Sequence, residues 1–179
     1  DGLWRLSPSS LYTYTECQSG FWVDNNYKKA SILPLLLNQA MDSILKARYD
    51  KYRADGTFPP EAKELEQEGI KPFDNLDQLN DWRENIRSLE IVDEKAGYRL
   101  VGKIDDVLVE PAKSPGGDRG PRIRLLPADY KSSGNAPAED KQKFSRDQLA
   151  AYGFMFSKHG HDVSDRAYLL HYFVKNKND

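Results

Sequence analysis

Gly102-Lys103-Ile104-Asp105-Asp106-Val107-Leu108-Val109 and Ile123-Arg124-Leu125-Leu126-Pro127-Ala128-Asp129-Tyr130-Lys131 read as two apolar strands joined by a polar loop. Side chains alternate across a strand, so Asp129 and Lys131 share one face and Tyr130 takes the other, toward the core. A carboxylate on one strand, with a carboxylate and an ammonium on its neighbour, can hold a divalent cation and a water, which is equipment for metal-assisted hydrolysis. An acid two places before a lysine means little alone: Glu61-Lys63, Asp93-Lys95 and Glu139-Lys141 repeat it in this highly charged chain. Only Asp129 and Lys131 end an apolar strand that follows a Gly-x-x-Asp strand. The bland alternative is a solvated hairpin with ordinary surface charges. Two points stay open on the residues alone. Parity separates Asp105 from Asp106 without saying which faces the site. Hairpin counting about a loop from Glu110 to Pro121 sets Asp105 nearer Leu126 than Asp129, so that joining the acids needs a bulge or an asymmetric loop.

The 179 residues suit one domain, 1–179, with a helical part over about 6–88 and a sheet-helix core over about 89–174. Charged residues make up 30% and the net charge is −2, so no global positive field draws the chain to nucleic acid. Binding of a polyanion then needs a local basic patch or a metal. The longest apolar run, Ile32 to Leu37, contains Pro34 and falls far short of the roughly 20 residues that span a bilayer. No secretory signal is visible. Cys17 stands alone, which excludes a disulfide framework and points to a reducing, cytoplasmic setting. The chain begins at Asp1 rather than Met and is expected to be a piece of a longer protein.

Ser7 and Pro8 predict a helix start, running to about Cys17, and Phe21-Trp22-Val23 reads as a core patch. A longer helix is predicted over Leu35 to Arg53, with Leu37, Met41, Ile44, Leu45 and Tyr49 as its buried stripe and Asp42 at the stripe's edge. Glu61 to Gly69 reads as superficial. Asp74 is expected to cap a third helix, to about Ser88. Strands are predicted at Leu89–Val92 and Tyr98–Val101 around an Asp93–Gly97 turn, the second continuing through Gly102 to Val109 with a bulge or bend at the glycine. Three glycines and three prolines make the loop from Glu110 to Pro121 irregular. Ser145 is expected to cap a helix to about His159, with Gln148 and Tyr152 on one face. Arg166 to Val174 is a last strand, parallel to Ile123–Lys131 across that helix. The fold expected is α/β (α+β), a central mixed β-sheet flanked by helices. His159 and His161 are not expected to ligate metal, and His171 reads as a core residue.

Gly102-Lys103-Ile104-Asp105, then Asp129-Tyr130-Lys131, then Gln148-Leu149-Ala150-Ala151-Tyr152 resemble, in order and spacing, the RecB-like branch of the PD-(D/E)XK nuclease superfamily. The resemblance covers about Leu6 to Val174, with Arg53 to Asp74 outside it. It extends to the nuclease domain related to CRISPR adaptation exonucleases. It implies a restriction-endonuclease-like core and a Mg²⁺- or Mn²⁺-dependent deoxyribonuclease. By that resemblance Asp105, Asp129 and the Tyr130 carbonyl hold the metal. Lys131 orients or activates the attacking water, and Gln148 and Tyr152 lie beside them as part of the catalytic set. Many relatives carry a histidine ligand in the long helix, where this chain places Asp42. Some relatives carry an iron–sulfur cluster on four cysteines; Cys17 alone cannot hold one, so none is expected. Lys141, Lys143 and Arg146 are expected to meet the phosphates of single- or double-stranded DNA. No membrane partner is expected. A second function remains in view: a catalytically silent nucleic-acid-binding or assembly module, favoured by Asp42 and by the mildly acidic charge. The intact Asp105, Asp129 and Lys131 set favours cleavage.

Overall fold

The computed structural model describes residues 2–27, 36–112, 122–133 and 139–173, without the side chains of 36–38 and 139–141. Its centre is a mixed sheet in the order β2-β5-β6-β7. These strands are β2 (Lys71–Pro72), β5 (Asp106–Pro111), β6 (Ile123–Ser133) and β7 (Tyr168–Phe173). β5 is antiparallel to β2 and β6, and β7 is parallel to β6, as a crossover helix requires.

Alternation along β5 and β6 divides the core in two. Val107, Val109 and Leu125 face α5 (Leu76–Glu84) and α6 (Glu139–Lys158), packing on Leu79, Trp82, Met155 and Phe156. Leu108, Leu126, Ala128 and Tyr130 face α3 (Leu36–Arg53), packing on Leu45 and Tyr49. Both faces of the sheet are covered, which explains why these strands read as nearly continuous apolar runs. The helices on either face and the mixed sheet give the α+β, restriction-endonuclease-like arrangement that the sequence implies.

Several local expectations are corrected. The predicted strand from Tyr98 to Val109 is two strands in two sheets. β4 (Tyr98–Leu100) pairs with β3 (Ile91–Asp93) and β1 (Trp4–Leu6), and the chain leaves strand geometry over 101–105 before β5 begins. Gly102 marks the break. A Cβ there would lie 3.0 Å from Tyr152 Cε1 and 3.1 Å from Pro8 Cδ, so a side chain at this crossing would force Tyr152 or Pro8 to shift. The start of α1 (Pro8–Glu16) follows expectation, with Ser7 and Ser10 forming a reciprocal cap. Beyond Cys17, however, lies a second helix, α2 (Gln18–Asn26). Consecutive helical residues point about 100° apart. Phe21 is therefore buried while Trp22 is 50% exposed, and the three-residue patch is not a core patch.

The segment Glu61 to Gly69 is not superficial. Its charges face solvent while Ala62, on a 3-10 turn (Pro60–Ala62), and Leu65, on α4 (Glu64–Gln67), are buried in the α3-side core. Asn75, not Asp74, caps α5, which ends at Glu84. Ser145 is not a cap: α6 already begins at Glu139, and Ser145 is buried inside it. Packing on α1 supports that early start, with Tyr12 edge-on to Phe144 and Glu16 bonded to Lys143. Lys28, Lys29, Pro34, most of the loop after β5, and Val174 lie outside the described residues. Among the described residues, no helix is long and apolar enough to cross a membrane.

Candidate active site

The β5–β6 register runs from Pro111 opposite Ile123 to Asp106 opposite Ala128. Asp105 lies just before the Asp106–Ala128 pair and reaches β6 at Asp129 and Tyr130 through its side chain. No bulge is required, because Glu110 and Pro111 are already paired, and the Ala112 amide donates to the Arg122 carbonyl at 2.8 Å. The paired register is centred later in the chain than hairpin counting assumes.

Parity is also resolved. Asp106 turns to the α3 side and is wholly buried. It meets Arg53 Nη2 at 2.5 Å and Arg83 Nη2 at 3.5 Å, and accepts from the Tyr130 hydroxyl. Asp105 turns the other way, toward Asp129 and Lys131. Its Oδ2 accepts from the Tyr130 amide at 3.3 Å, and the two carboxyl groups share a hydrogen bond. Lys131 Nζ lies 2.6 Å from Asp129 Oδ2, off the direction of a hydrogen bond, so this buried oxygen has no aligned donor.

Asp129 is 2% exposed. Burial pushes its carboxyl up to about 7; the Lys131 ammonium opposes the shift and Asp105 adds to it. Burial would also raise Asp105, but Lys46, the hydrogen bond from Asp129, and Lys131 outweigh it and hold Asp105 below the usual range. Metal-free, the pair therefore shares one proton near neutral pH. An acid whose folded pKa is raised contributes stability that is present below the unfolded value and lost as pH rises through the folded one. Between about pH 4 and pH 7, wild type should accordingly lose stability relative to Asp129→Asn. Denaturant titrations in EDTA at pH 4.5 and 8 measure that difference, and a pH-independent difference would contradict the shift.

The donor set suits a hard divalent cation: two facing carboxylates, one oxygen without an aligned donor, and the Tyr130 backbone between them. Among the described residues, no group of three or more His, Cys, Asp or Glu stands in ligand geometry. Asp42, expected as a further ligand, is instead bonded to Lys46 at 2.8 Å on its own helix. Lys46 also reaches Asp105 Oδ1 at 3.0 Å. Asp42, Leu45, Asp105, Tyr130, Lys131 and Ser132 line a pocket of about 310 Å³. A larger groove, about 830 Å³, runs between α6 and the start of β7 past Arg146, Leu149 and Arg166, and contains none of the acids. Charge, not volume, marks the site.

Gln148 and Tyr152 come together on α6 beside the acids. The Tyr152 hydroxyl donates to the Lys103 carbonyl, and burial, then the nearby Asp105, pushes its pKa up. Gln148 Oε1 is buried without a hydrogen-bond partner. Arg146 is exposed on the far groove, and Lys143 is tied to Glu16 at 2.7 Å. The Lys141 side chain lies outside the described residues. His161 packs against Trp82 and Phe156. His171 meets Ser133 Oγ through Nε2.

Sequence reasoning missed Lys46 and Arg83. Arg83 Nε donates to the Asp105 carbonyl at 2.7 Å while Nη1 meets Asp50, so α3 and α5 together fix the backbone of the first acid. The spacing Asp42 to Lys46, one helical turn, was the available signal for the lysine.

Paired acids beside a mixed sheet, with a lysine two places after the second, sit on an α+β, nuclease-type fold. The PD-(D/E)XK nuclease superfamily model matches residues 27–179, and the chain belongs to that superfamily. Its members generally use divalent metals such as Mg²⁺ to hydrolyse phosphodiesters. No curated protein matches the chain.

Proposed function

We propose that the chain is a Mg²⁺- or Mn²⁺-dependent deoxyribonuclease of the RecB-like branch, acting in the cytoplasm as a single 1–179 unit. The observation that supports this reading is the meeting of the Asp105 and Asp129 carboxyl groups, with Lys131 on the second acid. Asp105, Asp129 and the Tyr130 carbonyl would hold the metal. Bound there, a divalent ion supplies a lowered water pKa and neutralises charge building on the phosphate. Lys131 Nζ, beside Asp129, holds the attacking water in line. Tyr130 is anchored through its hydroxyl to Asp106, which holds this residue of the strand in place. Gln148 and Tyr152 border the substrate from α6.

One observation favours the silent binding or assembly module: Asp42 is engaged by Lys46 rather than by the acid pair. Cleavage of labelled single- and double-stranded DNA with Mg²⁺, Mn²⁺ or EDTA separates the two. Metal-dependent cutting is expected. DNA bound but uncut with either metal would establish the silent module instead.

A further inference from the structure

Lys46 projects from α3 toward Asp105, beside the pocket that Asp42, Leu45 and Asp105 line, with Leu45 buried next to it. Its ammonium bridges Asp42 Oδ2 at 2.8 Å and Asp105 Oδ1 at 3.0 Å. Asp105 is thereby divided between two neighbours. Oδ1 faces Lys46, whereas Oδ2 accepts from the Tyr130 amide on the Asp129 side. Two-metal phosphodiester sites hold their ions about 3.5–4 Å apart across a shared ligand. Asp105 is the one carboxylate here that touches both the Asp129 side and the Asp42 side. The place of a second ion, between Asp42 and Asp105, holds an ammonium.

We infer that Lys46 is the second cation of this site, a fixed charge that limits the chain to one divalent ion, coordinated on the Asp105–Asp129 side. The inference rests on the metal-dependent reading above and adds its stoichiometry. Charge balance agrees with it. Three carboxylates, when ionised, against the ammonium groups of Lys46 and Lys131 leave one negative charge. One divalent ion turns that into one positive charge, which a single phosphodiester neutralises. Two divalent ions beside both lysines would leave the site repelling cations strongly in a half-buried setting. Lys46 is a positioning residue, acting on the substrate through Asp105 and Asp42.

Isothermal titration of the full chain with Mn²⁺ alone, at pH 8 and without nucleic acid, tests this. Wild type should bind one Mn²⁺. Lys46→Met, and Lys46→Gln beside it, keep the helix and free both carboxylates, so each should bind a second Mn²⁺. That second ion should disappear again in Lys46→Met with Asp42→Asn. Wild type binding two ions, or both Lys46 variants binding a single ion at wild-type affinity, would overturn the inference while leaving the metal-dependent reading intact. No binding by wild type or either variant would overturn both. Circular dichroism of each variant separates loss of a site from loss of the fold.

Discussion

Asp105→Asn and Lys131→Ala should each lower DNA cleavage by about a hundredfold to a thousandfold, and for different reasons. Asp105 is the acid that the pair keeps ionised: Lys46, Lys131 and the hydrogen bond from Asp129 hold its pKa down. On the proposed metal-dependent reading, replacing it with asparagine removes a charge that would draw in the metal. The variant should lose Mn²⁺ binding and cleavage together. Lys131 lies 2.6 Å from Asp129 but is itself 37% exposed, at the mouth of the pocket. Its removal leaves both carboxylates in place. Lys131→Ala also removes the ammonium that opposes the upward shift of Asp129, so at pH 8.5 it should bind Mn²⁺ less tightly than wild type without losing it, and should fail in the chemical step. Single-turnover cleavage beside Mn²⁺ titration reads the two effects apart. Equal loss of metal binding in both variants would reduce Lys131 to a counter-charge for Asp129. Neither change should unfold the protein, since neither side chain packs in the apolar core.

The main sheet and its acids were legible because local signals and tertiary packing agree there. Nearly continuous apolar runs mark β5 and β6, and the lysine's parity follows from Asp129 without further information. What failed was decided by packing at a distance. Nothing within Tyr98 to Val109 says that the chain changes sheets, because the reason is Pro8 and Tyr152 closing on Gly102 from other parts of the sequence. Ser145 is a good cap by residue type, yet α1 supports one and a half more turns of helix ahead of it. The Glu61–Gly69 segment looked polar by composition, but two inward residues, Ala62 and Leu65, with Ile70 directly after it, suffice to pin it to the core. At the site, the sequence yielded the acids and the lysine of β6 but not what surrounds them. Lys46 and Arg83 reach Asp105 from helices 59 and 22 residues away, and only the folded chain brings them there.

Arg53→Met should cost about 3–5 kcal/mol of stability, the largest loss expected of any single change discussed for this chain. Asp106 is 0% exposed and Arg53 only 4%. The guanidinium meets Asp106 at 2.5 Å, donates to the Phe73 carbonyl at 2.7 Å, and touches Asp50 at 3.2 Å. Methionine fills much of the same volume but leaves the carboxylate to Arg83, 3.5 Å away, and to the Tyr130 hydroxyl. It also strips the Phe73 carbonyl of its donor. Urea denaturation measures the loss, and a fall in Tm of roughly 10 °C is the thermal counterpart for a chain this size. Arg48 provides the contrast. It grips Glu61 through two bonds, at 2.6 and 2.9 Å, but in solvent, and Arg48→Met should be indistinguishable from wild type. In an Asp106→Asn background the Arg53→Met cost should shrink, because a neutral amide no longer demands a counter-charge, and the double-mutant cycle isolates that coupling. The same pair connects the core to the site: Asp106 adjoins Asp105 and holds Tyr130, whose amide meets Asp105 Oδ2. Arg53→Met should therefore weaken Mn²⁺ binding even under conditions where it remains folded. A loss of under about 1 kcal/mol, with Mn²⁺ binding unchanged, would show that Arg83 alone neutralises the buried acid.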